Sequence, residues 1–394
     1  MESKLAERPA GNTDVGRISE VQVVPVRCGR DVDRFVRLPW SIYASDPCWA
    51  PPLLIERKDF INPKQHPFYS HGAAAQFLAV RAGRVVGRIM ASDDPNYNRE
   101  HQANVGCFGM FESIDDEGVA AALLDAAADW LRSRGRNVLR GPIDYSLNYN
   151  CGLLIDGFDT PPRIMMNHNP PYYAHLLQSW GLAKAKDMYA WWFDARQPVL
   201  AEWRRRAERL AKRVRFSVRP LRMNQLSAEI QRCKEVYNAA WEQSWGFVKM
   251  TDAEFNYLAK HLKLIAMPEL LLLAEAEGRP IGFSMTLPDL NEALRPLNGR
   301  LFRWGLPVGL LRLNRSRRQI HTARLLVLGV VERFRRRGVA EMLILRTLNY
   351  GQDQAHFTGA ELSWTLEDNH LINRTIESVG GKRYKTYRIY ERAI

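Results

Sequence analysis

The 394-residue chain has no stretch near the roughly 18–20 consecutive apolar residues that a bilayer-spanning helix needs, because Arg, Pro or Glu interrupts every candidate. Integral insertion through helices is therefore not expected. Cysteine is scarce: Cys28, Cys48, Cys107, Cys151 and Cys233 lie far apart, are odd in number and show neither CxxC nor Cys/His ligand spacing. No disulfide framework and no metal site follow from them, and a reducing cytoplasm is the expected location. The start, Met1 to Pro9, is polar and mixed in charge, without the apolar stretch of a secretion signal, so export is not expected. RNP, KH, zinc-finger and helix-turn-helix patterns are missing, which argues against a nucleic-acid partner. Acidic residues are in deficit, 43 against 56 basic ones, for a formal charge of +13. Such an excess attracts phosphates, whether of nucleic acid, anionic lipid or a nucleotide cofactor, and charge alone does not choose among them.

What is present is an ordinary globular balance, 46% apolar and 25% charged, in a chain long enough for two domains. Residues 1–20 are polar and read as a tail. From Val21 to residue 195 strands and helices alternate: a strand at Val21–Val26, a helix at Asp31–Tyr43, a hairpin of Gln76–Val80 with Val85–Ala91, and a strand at Asn104–Phe111. A helix spans Gly118–Gly135, with Val119, Leu123, Ala127 and Leu131 on one face. Short strands follow at Val138–Leu139 and Cys151–Ile155, then a helix at Pro170–Trp180, and Met188–Phe193 closes this half. Residues 196–216 form a linker whose helix sets Trp203, Ala207, Leu210 and Val214 against Arg204, Arg205, Arg206, Arg209 and Arg213. Its charged face is either simply solvated or a surface for phosphate or anionic lipid. Residues 217–394 repeat the first half in outline, with a hairpin at 270–287, an insertion at 288–319, a long strand at Thr322–Val331 and a helix at Gly338–Gln354. A strand at Gly359–Leu366, a helix at Asn369–Val379 and a last strand at Lys385–Glu391 complete the pattern.

The chemistry concentrates where the long strand gives way to its helix, at Val330-Val331-Glu332-Arg333-Phe334-Arg335-Arg336-Arg337-Gly338-Val339-Ala340. Gly338 lets backbone approach a ligand and Ala340 keeps the first turn uncrowded. The free N–H groups of that turn, the helix dipole and three arginines suit a pyrophosphate. Arg335-x-x-Gly338-x-Ala340, after an apolar strand and before an amphipathic helix, resembles the Q/R-x-x-G-x-G/A signature of the GNAT superfamily, which cradles the pyrophosphate of coenzyme A. The segment Glu361 to Asn373, followed by Gly380-Gly381-Lys382-Arg383-Tyr384, resembles that family's second signature, a strand, an Asn-bearing helix and a glycine turn leading to the last strand.

The resemblance implies an α/β fold of two tandem GNAT-like domains, 21–195 and 217–394, each a mixed, mostly antiparallel twisted sheet flanked by helices. The N-terminal copy reads as degenerate: its strand–turn–helix step carries Glu112, Asp115, Asp116 and Glu117 where a pyrophosphate needs donors. It also implies acyl-CoA as donor, with Val330, Val331, Arg335, Arg336, Arg337, Gly338, Val339 and Ala340 at the cofactor and Asn373 or Asn369 on its arm; helix capping is the alternative role for both asparagines. Where the family often carries a tyrosine acid, this chain has Ser378 and Val379, leaving Tyr384 as a distant substitute.

Amine acylation needs a base and donors for the developing oxyanion. The candidates are Glu332, at the end of the long strand, Glu367, ending the neighbouring strand, and His321, which begins the long strand; surface roles are the alternative for each. Within 288–319, large apolar residues (Leu301, Phe302, Trp304, Leu306, Leu310, Leu311) interleave with Arg303, Arg312, Arg315, Arg317 and Arg318. This composition suits contact with an anionic membrane surface at the inner face of the cytoplasmic membrane, a cover over a long acyl chain, or inter-domain packing. The layout as a whole is similar to tandem-GNAT bacterial proteins that include the bacterial ceramide synthases, implying a fatty acyl-CoA donor and a sphingoid-type amine acceptor. The alternatives are acetylation of a small polar amine or protein, a non-catalytic acyl-CoA sensor, and nucleic-acid binding.

Overall fold

A computed structural model describes residues 20–199, 201–212, 215–242, 244–263, 265–302, 306–316 and 319–394. The expected tail, Glu20 apart, lies outside them, as do Arg213 and Val214 of the basic helix and Arg303, Trp304, Gly305, Arg317 and Arg318 of the insertion.

Period-2 apolar segments become strands β1 (Gln22–Pro25), β2 (Ala73–Arg81), β3 (Arg84–Asp93), β4 (Val105–Ser113), β5 (Val138–Gly141), β6 (Leu153–Asp156) and β7 (Ala183–Asp194). The second half supplies β8 (Ser217–Pro220), β9 (Leu271–Ala276), β10 (Arg279–Pro288), β11 (Thr322–Val330), β12 (Gly359–Leu366) and β13 (Lys382–Ala393). They form one 13-stranded sheet in the order β1-β2-β3-β4-β5-β13-β7-β12-β11-β10-β9-β8, with β6 added on β13. Among the described residues only β4 with β5 and β11 with β12 run parallel. This is the mixed, mostly antiparallel α/β architecture expected.

The halves are joined in a way that reading along the chain does not show. The segment read as closing the first half, β7, pairs with β12 of the second, and the last strand, β13, pairs with β5 of the first. The two exchanged strands also pair with each other along most of their length. Each half is thus completed by a strand from the other.

Helices cover the sheet as their periodicity requires. Helix Glu117–Ser133 buries Val119, Leu123, Ala127 and Leu131 against Ile89, Phe108 and Leu139. Its counterpart, Val339–Asp353, packs Val339 and Leu343 on Leu272, Ala274 and Ile281, while Ile344 and Leu348 meet Trp203 and Ala207 of the basic helix Ala201–Ala211. That helix is a second packing layer, with Arg205, Arg206 and Arg209 left exposed. The insertion folds into short helices at Leu290–Leu294 and Val308–Ser316 and rests on the first half, where Leu54 N–H donates to Gly299 O (3.0 Å) and Trp40 Nε1 donates to Asn298 Oδ1 (2.6 Å).

Candidate active site

β11 and β12 pair only over Thr322–Arg324 and Gly359–Glu361, then diverge. At the vertex Arg324 and Glu361 form a fully buried ion pair (2.8 Å), steadied by Arg324 Nη1 donating to Ile164 O (2.7 Å) and by the Tyr384 hydroxyl donating to Glu361. Two irregularities drive the strands apart. β11 slips by one residue against β10 at Leu326, and β12 slips against β7 between Glu361 and Trp364, with Ser363 at φ +37°. The Ser363 hydroxyl donates to Leu326 O (3.2 Å) across the start of the gap.

The gap opens into a cavity of about 720 Å³, lined by the diverging strands, helices Leu226–Trp241 and Asp252–Leu262, and the first turns of helices Val339–Asp353 and His370–Val379. Its lining is mostly apolar, with Ile230, Phe255, Leu258, Phe283, Leu328 and Ile376 typical. The volume falls within the roughly 300–1,000 Å³ common for small-molecule sites.

At the mouth, Gly338 occupies the N-cap of helix Val339–Asp353 at φ +83°, a conformation a β-carbon resists, and no side chain among the described residues caps the helix. The N–H groups of the first turn are therefore free for an anion. Arg336, itself at φ +59°, lines the cavity with Arg335, Val330 and Ala340. Arg335 also braces the loop, donating to Val330 O (3.3 Å) and Ala240 O (2.7 Å) and so pinning it to the end of helix Leu226–Trp241. Arg337 sits beside the Phe334 ring, Val331 N–H extends the sheet to Ile281 O (3.0 Å), and Val339 is buried in the core.

The three acid–base candidates are not brought together. Glu332 is exposed in a 3₁₀ turn and outside the cavity wall. Glu367 accepts from Lys184 Nζ (2.6 Å) and from Asp187 N–H (3.1 Å), an arrangement that ties β12 to β7. His321 is exposed at the opposite end of β11 from Glu332, about 30 Å away along the strand, its backbone engaged with Glu292 and Thr358. Asn373 is buried and spends its amide on the strand–helix turn, donating to Leu366 O (3.1 Å) and accepting from Thr365 Oγ1 (2.6 Å). Asn369 opens the helix without capping it through its side chain, and reaches the cavity. Tyr384 is held at the vertex by Glu361 and is not among the cavity-lining residues.

Among the described residues Glu341 is the only carboxylate on the cavity wall. The polar groups deeper inside were not anticipated from sequence: Tyr237 Oη donates to Asn148 Oδ1 (2.7 Å), and Tyr149 Oη donates to buried Glu254 (3.2 Å). The only local signal was a polar, aromatic loop, Tyr145 to Asn150, and its partners lie 89 and 105 residues on.

The first half has the same strand divergence, closed by its own chain. β4 and β5 pair over Val105–Cys107 and Val138–Arg140, after which Ile143 N–H donates to Phe108 O (2.6 Å) and Met110 N–H donates to Asp144 Oδ1 (2.9 Å). The loop comes so close that a β-carbon at Gly109 would collide with Asp144 and with Ile143 O. The helix start that would face a phosphate is capped by Asp116, which accepts from Val119 N–H (3.0 Å) and pairs with Arg81 (2.8 Å). A carboxylate fills the anion position.

No protein-family model matches the chain. Among curated proteins it is 38% identical over 381 residues to the bacterial ceramide synthase of Caulobacter vibrioides, covering 95% of this chain and 98% of that one. It is 36% identical to protein YghO of Escherichia coli, over 92% of this chain and 93% of the other. Among solved structures, a tandem GNAT protein from the clavulanic acid biosynthesis pathway superposes with a TM-score of 0.57 at 15% identity, covering 95% and 98% of the two chains. A GCN5-related N-acetyltransferase from Sphaerobacter thermophilus gives 0.52 at 12% identity, covering 95% of each.

Proposed function

The chain belongs to the tandem-GNAT N-acyltransferase family that includes bacterial ceramide synthase, and on that premise we propose that it moves a long acyl chain from acyl-CoA to the amine of a lipid base. The observation that carries the reading is an apolar cavity continuous with an uncapped, arginine-flanked helix start. A short acetyl group needs no such volume; a fatty chain does.

In this reading Arg336, Arg337 and the first-turn N–H groups of helix Val339–Asp353 hold the diphosphate. Arg335 keeps their loop in place through its two carbonyl bonds. The pantetheine arm enters between the diverging β11 and β12, beside Asn369, and the acyl chain occupies the apolar interior. The neutral amine attacks the thioester carbonyl, a C–N bond forms, the C–S bond breaks, and coenzyme A leaves as its thiol with the proton released from nitrogen. The exposed apolar side chains Phe302, Leu306, Leu310 and Leu311, beside Arg312 and Arg315, support an approach to an anionic membrane surface from which a lipid base would be drawn. No helix among the described residues is long and apolar enough to cross a membrane.

The test compares turnover of palmitoyl-CoA and acetyl-CoA with a long-chain amino alcohol as acceptor. Palmitoyl-CoA is expected to be preferred by at least about 100-fold in kcat/KM, since each buried methylene contributes about 0.8 kcal/mol. A preference for acetyl-CoA would reject the long-chain reading in favour of acetylation of a small polar amine.

A further inference from the structure

The first half retains the outline of an acyltransferase site but has filled it. The loop that does so, Gly141–Cys151, is held in the β4–β5 divergence by Ile143 and Asp144, and its tip is thereby carried into the wall of the second half's cavity. Leu147, Asn148 and Tyr149 all line that cavity. Asn148 is also tied to the loop after helix Leu226–Trp241, its Nδ2 donating to Val248 O (3.0 Å). Residues 244–250 of that loop are gripped from a second side, where His101 Nε2 contacts Phe247 O.

Within the mostly apolar lining the Asn148–Tyr237 pair leaves definite valences. Tyr237 Oη donates to Asn148 Oδ1, so its own lone pairs remain, as does a second lone pair on Oδ1. One N–H of Asn148 is used on Val248 O, and the other has no hydrogen-bond partner among the described residues. Acceptors and one donor side by side match a ligand group that offers N–H or O–H hydrogens together with an oxygen acceptor. A plain alkylamine satisfies only the first requirement; an amine with a neighbouring hydroxyl satisfies both.

We propose that Asn148 and Tyr237 form the recognition site for the polar head of the acceptor, an amino alcohol, so that the first half acts as the specificity element of the second half's active site. This rests on the N-acyltransferase reading, which already takes the acceptor to be a lipid amino alcohol, and adds the residues of this chain that select its polar head.

The experiment uses the full chain, palmitoyl-CoA as donor, and two acceptors of equal length, hexadecylamine and aminohexadecanol. Wild type is expected to favour aminohexadecanol by about tenfold in kcat/KM, the worth of one or two neutral hydrogen bonds. Tyr237→Phe, which keeps the ring, and Asn148→Leu should each raise KM for aminohexadecanol about 5–10-fold and erase the preference, with KM for palmitoyl-CoA within about twofold of wild type. The double variant should be no worse than the poorer single one, because the two residues share a bond. Unchanged aminohexadecanol KM in Tyr237→Phe, or a rise in palmitoyl-CoA KM instead, would overturn the assignment while leaving the acyltransferase intact. A wild type that binds palmitoyl-CoA yet acylates neither amine would overturn the function reading and this one with it.

Discussion

Reversing the charge at Arg336 and Arg337 tests whether the helix start at Gly338 grips a diphosphate. Both side chains belong to exposed residues, and neither braces the fold as Arg335 does. An exposed ionic contact contributes about 0.2–1 kcal/mol, and replacing attraction by repulsion roughly doubles the change. The Arg336→Glu/Arg337→Glu variant should therefore lose about 1–4 kcal/mol of acyl-CoA affinity, from about fivefold to several hundredfold in Kd. Trp241 and Trp245 line the cavity, so palmitoyl-CoA binding can be followed by quenching of tryptophan fluorescence. The difference from wild type should shrink as salt rises from about 0.1 M to 1 M, where the screening length falls from about 10 Å to 3 Å. Palmitoyl-pantetheine, which lacks the diphosphate, should bind both proteins alike. If the double variant bound palmitoyl-CoA as tightly as wild type at low salt, or lost palmitoyl-pantetheine to the same degree, the anion site would have to be given up.

Two further outcomes are expected. Leu311→Glu, at a side chain 71% exposed on helix Val308–Ser316, should reduce co-sedimentation with phosphatidylglycerol vesicles severalfold while leaving turnover of detergent-dispersed amine within about twofold; equal co-sedimentation would remove the insertion as the membrane contact. Burial pushes the Asp144 carboxyl up to about 6 from an ordinary 3.8, so between those values the folded protein holds a proton that the unfolded chain has released. This contribution lowers wild-type stability as pH rises through that window, then levels off. Asp144→Asn keeps an acceptor for Met110 N–H and removes the charge, so it should gain up to roughly 3 kcal/mol over wild type in urea unfolding at pH ~7.5 and little at pH ~4. A variant-minus-wild-type difference that does not change with pH would show that Asp144 is not held in this way.

The strand-to-helix turn at Gly338 was legible because it is local. Arg335-x-x-Gly338-x-Ala340 carries both the backbone freedom and the charge within one strand-to-helix step, and the helix that follows repeats its apolar residues at a spacing that places one face on the sheet. The hairpins and the positions of strands β11 and β12 were legible for the same reason; that these two strands run parallel came only from the structure. The catalytic candidates were chosen for proximity to those strand ends in the chain, and proximity in the chain misplaced their partners. Glu367 meets Lys184 from the exchanged strand β7, and His321 is separated from Glu332 by the whole of β11.

What the sequence by itself determined is the set of elements and the strand-to-helix turn at Gly338, whose parts are neighbours in the chain, since helix periodicity, turn residues and the Arg/Gly spacing are all short-range. Only the tertiary structure decided how the halves are joined, which of the two strand divergences stays open, and which distant groups meet at the wall of the cavity. Those outcomes depend on contacts such as β13 with β5, Asp144 with Met110 N–H and Tyr237 with Asn148, where residues far apart in the chain meet only once the sheet has closed around them.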